Sequence, residues 1–165
     1  MIIRDNLFKS SGTAILIAGD ANGWYESGAV KDVLIENNEF TDFCLANLYQ
    51  FCEGIISIFP EIPKLRAGNF FHHNIRILNN KFHPFDYPVL FAKYTENLQF
   101  TGNSIERSRR FQPYHSNKVM IRAVACSNLL IKENTFHGEV LGMNLKLELM
   151  ADSGSYECQK EIIRN

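Results

Sequence analysis

The stretch Asn74-Ile75-Arg76-Ile77-Leu78-Asn79-Asn80-Lys81-Phe82 decides how this chain folds. Ile75 and Ile77 alternate with other residues, the two-residue period of a strand that turns one face inward. Asn80 then breaks the run, and Phe82 re-enters the core two positions later. The same unit recurs as Asp32-Val33-Leu34-Ile35-Glu36-Asn37-Asn38-Glu39-Phe40 and as Asn97-Leu98-Gln99-Phe100-Thr101-Gly102-Asn103-Ser104-Ile105. It returns as Asn128-Leu129-Leu130-Ile131-Lys132-Glu133-Asn134-Thr135-Phe136, and a shorter match, Ile3-Arg4-Asp5-Asn6-Leu7-Phe8, lies near Met1. The key Asn therefore falls at 6, 38, 80, 103 and 134. One gap has the length of a bare rung and the others are longer, as in a solenoid with insertions in its loops.

The fold expected is all-β: a right-handed, single-stranded parallel β-helix of about five rungs, with long loops on one edge. Asn suits the turn because it tolerates a left-handed backbone and its amide bonds to local main chain. Stacked rungs would join successive Asn side chains into a hydrogen-bonded ladder. These Asn residues are read as scaffold. A second strand is expected in each rung, over residues 14–18, 55–59, 89–93 and 120–124. Aligned, these strands give inward columns Ile15/Ile56/Leu90/Ile121 and Ile17/Ile58/Ala92/Ala123. The outward columns are Leu16/Ser57/Phe91/Arg122 and Ala18/Phe59/Lys93/Val124. All 165 residues are expected to form one domain, with rungs over about 1–136 and a strand or cap over 137–165.

The net charge of −1 comes without an extended basic block, so nothing points to nucleic acid. The longest apolar runs, such as Ala14-Ile15-Leu16-Ile17-Ala18, are far too short to span a membrane. Met1 leads into Ile2-Ile3-Arg4-Asp5 without the regions of a signal peptide. Cys44, Cys52, Cys126 and Cys158 form no CxxC pair, and buried thiols are the plain reading. A Cys44–Cys52 disulfide is the alternative in an oxidising compartment.

Two long loops, 19–31 and 60–73, leave the second strand at the same aligned point and should project side by side. Such loops on a rigid stack make a natural wall for a binding site. Asp20 lies three residues after Ile17, and Glu61 three after Ile58, so the two carboxylates fall at equivalent points of adjacent rungs. Lys93 projects from the next rung, Trp24 and Glu26 ride on the first loop, and Glu53 precedes the strand at 55–59. Two carboxyl groups flanking a glycosidic bond supply an acid and a base, and an aromatic ring suits a sugar's C–H face. The plain alternative is that the acids are solvated and that Trp24 pins its loop. His72-His73 has no partner at metal-ligand spacing, and Arg107, Arg109 and Arg110 read as a solvated turn. Tyr114-His115 carries no signal.

The segment Gly19-Asp20-Ala21-Asn22-Gly23-Trp24-Tyr25-Glu26-Ser27-Gly28 resembles a motif of the inverting α-1,3-galactosidases of glycoside hydrolase family 110. Tyr49-Gln50-Phe51-Cys52-Glu53-Gly54-Ile55-Ile56-Ser57-Ile58-Phe59-Pro60-Glu61 and Asp86-Tyr87-Pro88-Val89-Leu90-Phe91-Ala92-Lys93 are similar to it too. The resemblance runs through most of residues 1–136, and it implies a pectin-lyase-like β-helix that removes terminal α-linked galactose without a metal or organic cofactor. It implies Asp20 as a catalytic carboxylate, with Glu61 and Glu53 assisting. Trp24, Glu26, Asp86 and Lys93 follow as substrate-binding residues. Gly19 departs from the pattern, because some members carry a second Asp there. Family members are several times longer, so the chain is expected to be a C-terminal portion of a periplasmic or secreted enzyme. The edge of the first rung would be covered by further rungs or by a second copy. Two other readings stand beside this one. A non-catalytic carbohydrate-binding or assembly module would keep the stack alone. A polysaccharide lyase would need a cluster of acids or a catalytic Arg on one strand face, where Arg122 is the one Arg in the aligned outward positions.

Overall fold

The computed structural model describes residues 1–9, 12–21, 27–43, 53–62, 68–86, 88–112, 119–137, 144–152, 154–156 and 162–164. Each of five rungs contributes three strands. The first holds β1 (Ile2–Arg4), β2 (Leu7–Lys9) and β3 (Ile15–Ile17), and the second β4 (Lys31–Glu36), β5 (Glu39–Phe43) and β6 (Ile56–Ile58). The third holds β7 (His72–Leu78), β8 (Lys81–Pro84) and β9 (Leu90–Lys93), and the fourth β10 (Thr95–Thr101), β11 (Ser104–Glu106) and β12 (Val119–Val124). The fifth holds β13 (Ser127–Lys132), β14 (Thr135–His137) and β15 (Asn144–Glu148), after which come β16 (Ser155–Tyr156) and β17 (Ile162–Arg164).

Through β16 every third strand joins the same sheet, and β17 follows β15 in the third. The first sheet runs β1-β4-β7-β10-β13-β16, the second β2-β5-β8-β11-β14 and the third β3-β6-β9-β12-β15-β17. Among the described residues all neighbouring strands are parallel, as in Val33↔Ile75, Leu98↔Ile75 and Leu98↔Leu129. The chain is thus a stack of three-sided rungs about 4.8 Å apart, the architecture of a β-solenoid. The expected second strands are those of the third sheet. Ile15, Ile56, Leu90 and Ile121 pair in one column and Ile17, Ile58, Ala92 and Ala123 in the next. The middle strand of each rung, which holds Phe8, Phe40, Phe82, Ile105 or Phe136, was not expected from the sequence as a separate element. Three-residue strands are too short to show an alternating pattern.

Aligned apolar columns fill the interior. Phe40 and Phe82 have no exposed surface, and their rings stack at 4.7 Å and 6°. Phe8 continues the pile against Phe40 at 4.9 Å. Cys126 is buried in this core, and desolvation pushes its thiol pKa up to about 12. Cys44, Cys52 and Cys158 lie outside the described residues.

The Asn ladder forms at the corner between the first and second sheets. Asn6 Nδ2 donates to Asn38 Oδ1, Asn38 Nδ2 to Asn80 Oδ1, Asn80 Nδ2 to Asn103 Oδ1 and Asn103 Nδ2 to Asn134 Oδ1, all at 3.0–3.1 Å. Each Oδ1 also accepts the main-chain N–H of the preceding Asn in the ladder. One detail differs from expectation. The left-handed residue is the one before the ladder Asn: Asp5, Asn37, Asn79, Gly102 and Glu133, with φ between 54° and 67°. That preceding residue makes the corner, which leaves the ladder side chain aimed inward along the stack.

Candidate functional site

The parallel pairing of β3 with β6 does not stop at the strand ends. Glu61 N–H donates to Gly19 O at 2.7 Å, and Ala21 N–H donates to Glu61 O at 3.0 Å. Asp20 and Glu61 are thereby parallel partners on adjacent rungs, both half-buried. Side chains of such partners leave the backbone on the same side, so the two carboxylates share one edge of the stack. The same Asp20 also pairs antiparallel with Ser27, whose Oγ accepts its N–H at 3.3 Å. The loop that begins at Gly19 is therefore tied back on itself at its neck.

Its return end is fixed by a group the sequence reading set aside. His72 opens β7 with no exposed surface, and its Nδ1 accepts the N–H of Val30 at 3.1 Å. Nε2 has no hydrogen-bond partner among the described residues. Burial, reinforced by the neighbouring His73, pushes the imidazole pKa down to about 4, so the ring is neutral near pH 7. Phe71 fixes the other end of the loop. A Cβ on Gly19 would lie 2.5 Å from Phe71 Cε1 and 2.9 Å from Gly28 O. The glycine is thus required by a close approach, and an Asp has no room there unless Phe71 moves. Sequence offered only a weak signal for His72, an imidazole at the start of an alternating run.

The remaining expected residues fall in three places. Lys93 joins the Asp20–Glu61 edge from the third rung, with Nζ 5.3 Å from the Phe59 ring centroid and 5.1 Å from that of Tyr94. Phe59, one of the two rings that Lys93 faces, comes two residues before Glu61. Glu53 and Asp86 instead precede β6 and β9, at the opposite end of those strands from Glu61, which follows β6, and Lys93, which ends β9. Glu53 is half-buried, and Asp86 has no exposed surface. Trp24 and Glu26 lie outside the described residues.

Farther along the outer face of the third sheet, Arg122 donates from Nε to Glu148 at 2.7 Å. It sits 5.4 Å from the Phe91 ring, and Lys146 approaches Glu148 at 3.6 Å. The hydrogen bond from Arg122 holds the Glu148 carboxyl below its ordinary range. An Arg engaged in this way is a poor base, which weighs against the lyase reading. No group of three ligating side chains that could hold a metal occurs among the described residues.

Fold and edge together define a parallel β-solenoid with a carboxylate-bearing loop border. No family model matches the chain. Known proteins do match it closely. Over 153 residues, 93% of its length, the chain is 52% identical to an alpha-1,3-galactosidase B of Bacteroides thetaiotaomicron. It is 45% identical over 136 residues to one of Akkermansia muciniphila. An alpha-1,3-galactosidase A of Bacteroides fragilis is 40% identical over 151 residues. The chain is thus a homologue, through most of its length, of proteins named alpha-1,3-galactosidases. It spans 25%, 17% and 25% of those three relatives.

Proposed function

We propose that the chain is part of an inverting glycoside hydrolase of family 110 that removes terminal α-1,3-linked galactose. The observation that carries this reading is the pairing of Asp20 with Glu61 on one loop edge, in a chain whose relatives bear galactosidase names. Asp20 is a member of the acid–base couple and Glu61 is its partner. In the inverting reaction one carboxyl protonates the leaving oxygen while the other removes a proton from water attacking the opposite face of C1. Such couples stand ~6.5–9.5 Å apart, whereas neighbouring rungs place the two backbones about 4.8 Å apart. The couple therefore works with side chains splayed, which the unequal lengths of Asp and Glu allow. Lys93 and Trp24 bind the sugar, Lys93 through hydroxyl groups and Trp24 through its ring face. Glu26, two residues after Trp24, completes that pocket, whereas Glu53 and Asp86 precede β6 and β9 and stand at the far end of those strands from it. The coil is right-handed, because connections between parallel strands of one sheet are right-handed in about 98% of cases.

The test is galactose release by the chain from α-1,3-galactobiose, followed by proton NMR of the first product. Inversion delivers β-galactose before mutarotation, and Asp20→Asn lowers the rate by at least about a hundredfold, the usual contribution of a positioned acid or base. Full activity in Asp20→Asn refutes the assignment. A chain that binds the disaccharide without releasing galactose is a carbohydrate-binding module instead.

A further inference from the structure

A second groove lies on the outer face of the second sheet, whose strands carry none of the residues of the Asp20–Glu61 edge. It encloses about 460 Å³. Its floor is laid by outward residues of consecutive rungs. Thr41 pairs with His83, and Glu106, one residue past the Ile105–Phe82 pair, pairs with His137. One wall is the turn Arg107-Ser108-Arg109 that follows β11.

That turn is built. The pairing of β5 with β8 shifts register between Thr41 and Phe43, and Asp42 within the shift has φ 57°. Ser108 Oγ donates to Asp42 Oδ1 at 2.9 Å, and Arg110 Nη1 donates to Asp42 Oδ2 at 2.8 Å. Ser108 N–H adds a main-chain bond to Pro84 O at 2.8 Å. Burial opposes ionisation of Asp42, but the bonds from Ser108 and Arg110 and the Arg110 and Lys9 charges outweigh it, so the carboxyl titrates below its ordinary range. The solvated turn read from sequence is thus a docked one in which only Arg110 has its counter-ion. Arg107 and Arg109 flank the docked Ser108 and have no ion pair among the described residues. Arg107 Nε is buried and has no acceptor among the described residues.

We propose that this groove binds an acidic saccharide, a sugar carrying a sulfate ester or a carboxylate. Guanidinium forks match both oxyanions. Glu39 and Glu106 line the same groove; they would repel a bare anion, but they accept hydrogen bonds from sugar hydroxyls. The side chains of His83 and His137 add further polar contacts. Among the described residues no Phe, Tyr or Trp lines the groove, so a neutral hexose finds no large apolar ring face there. A metal is disfavoured by the lack of three convergent ligands among the described residues. The inference is independent of the proposed galactosidase reading.

The experiment is calorimetric titration of the 165-residue chain with 3′-sialyllactose, lactose 3′-sulfate, lactose and inorganic sulfate. At least one acidic sugar should bind at least about tenfold more tightly than lactose and than sulfate ion, and the preferred one tells carboxylate from sulfate ester. The double variant Arg107→Ala/Arg109→Ala should lose about tenfold or more, as expected for charge-assisted bonds. Its far-UV circular dichroism should match the parent, and Asp20→Asn should bind as the parent does. Equal binding of lactose and the acidic sugars overturns the proposal. So do equal binding of sulfate ion, absence of binding by either acidic sugar, and undiminished binding by a folded double variant.

Discussion

Replacing Asn80 by Ala should cost the chain about 4 kcal/mol, far more than the same change at Asn6. The Asn80 side chain is wholly buried and makes four hydrogen bonds. Its Oδ1 accepts from Asn38 N at 2.9 Å and from Asn38 Nδ2 at 3.0 Å. Its Nδ2 donates to Ile35 O at 3.0 Å and Asn103 Oδ1 at 3.1 Å. At a net of about 1 kcal/mol per bond the loss is about 4 kcal/mol. Groups of Asn38 and Ile35 left buried without these partners hold the cost at that level or above. Asn6 is exposed and donates only to Arg4 O and Asn38 Oδ1, and water replaces those bonds at about 1 kcal/mol or less. Urea unfolding followed by far-UV circular dichroism reads the difference. With a slope of about 2 kcal/mol/M, Asn80→Ala should lower the midpoint by about 2 M, and Asn6→Ala by about 0.5 M or less. Equal shifts for the two variants, at unchanged slope, would refute the view that the interior ladder holds the rungs.

Two further changes test the clamp on the Asp20 loop. His72 titrates at about 4 in the folded chain against 6.5 unfolded, so the unfolded chain binds the extra proton between those values. Stability should therefore fall by about 3 kcal/mol as the pH drops from about 7 to 4, and His72→Leu should flatten that window. Asp42, Glu148 and Asp152 are all lowered, so their contributions are lost at and below their ordinary values, 3.8 to 4.5. Parallel losses in parent and variant between pH 7 and 5 would exclude His72 as the source. Gly19→Ala should destabilise by about 1–3 kcal/mol through overpacking on Phe71, with part of that cost relieved when Phe71→Ala is added. A Gly19→Ala chain melting with the parent would show that Phe71 yields freely.

Most of the frame was legible because the stack repeats it. Val33/Ile35 and Ile75/Ile77 announce strands of the first sheet, and the inward columns of the third sheet pair as aligned. The second sheet was not legible as a sheet, since its members are as short as Thr135–His137 and carry one inward apolar residue each. The Asp20–Glu61 partnership followed from equal offsets after Ile17 and Ile58. Counting residues gave that, because parallel register carries an offset unchanged from rung to rung. The roles of His72, Phe71 and Asp42 depend on contacts between residues 42 to 68 positions apart, or on a register shift. No local pattern encodes those.

The ladder also explains where chemistry can sit on this scaffold. Successive ladder Asn residues lie 32, 42, 23 and 31 positions apart, so rung length varies nearly twofold. None of that variation falls between the first and second sheets. There Asn38, Asn80 and Asn103 are each bonded to both neighbouring rungs, and an inserted residue would break bonds above and below it. The corner into the first sheet has a lighter, exposed ladder, in which Asn74 donates to Asp32, Asn97 to Asn74 and Asn128 to Asn97 through side chains alone. Tyr94 alone turns the chain after β9, and Ala125 and Cys126 turn it after β12, with Tyr94 and Ala125 at φ 51° and 50°. After β3 and β6 the same corner takes the loops that carry Asp20 and Glu61. The corner after β11 likewise carries the turn held by Asp42. Both groove-forming segments stand where insertion leaves the ladder intact, so side chains there can change without loss of register beneath them. The rigid corner fixes the 4.8 Å repeat, and the two tolerant corners convert it into adjacent, addressable positions for ligand-binding groups.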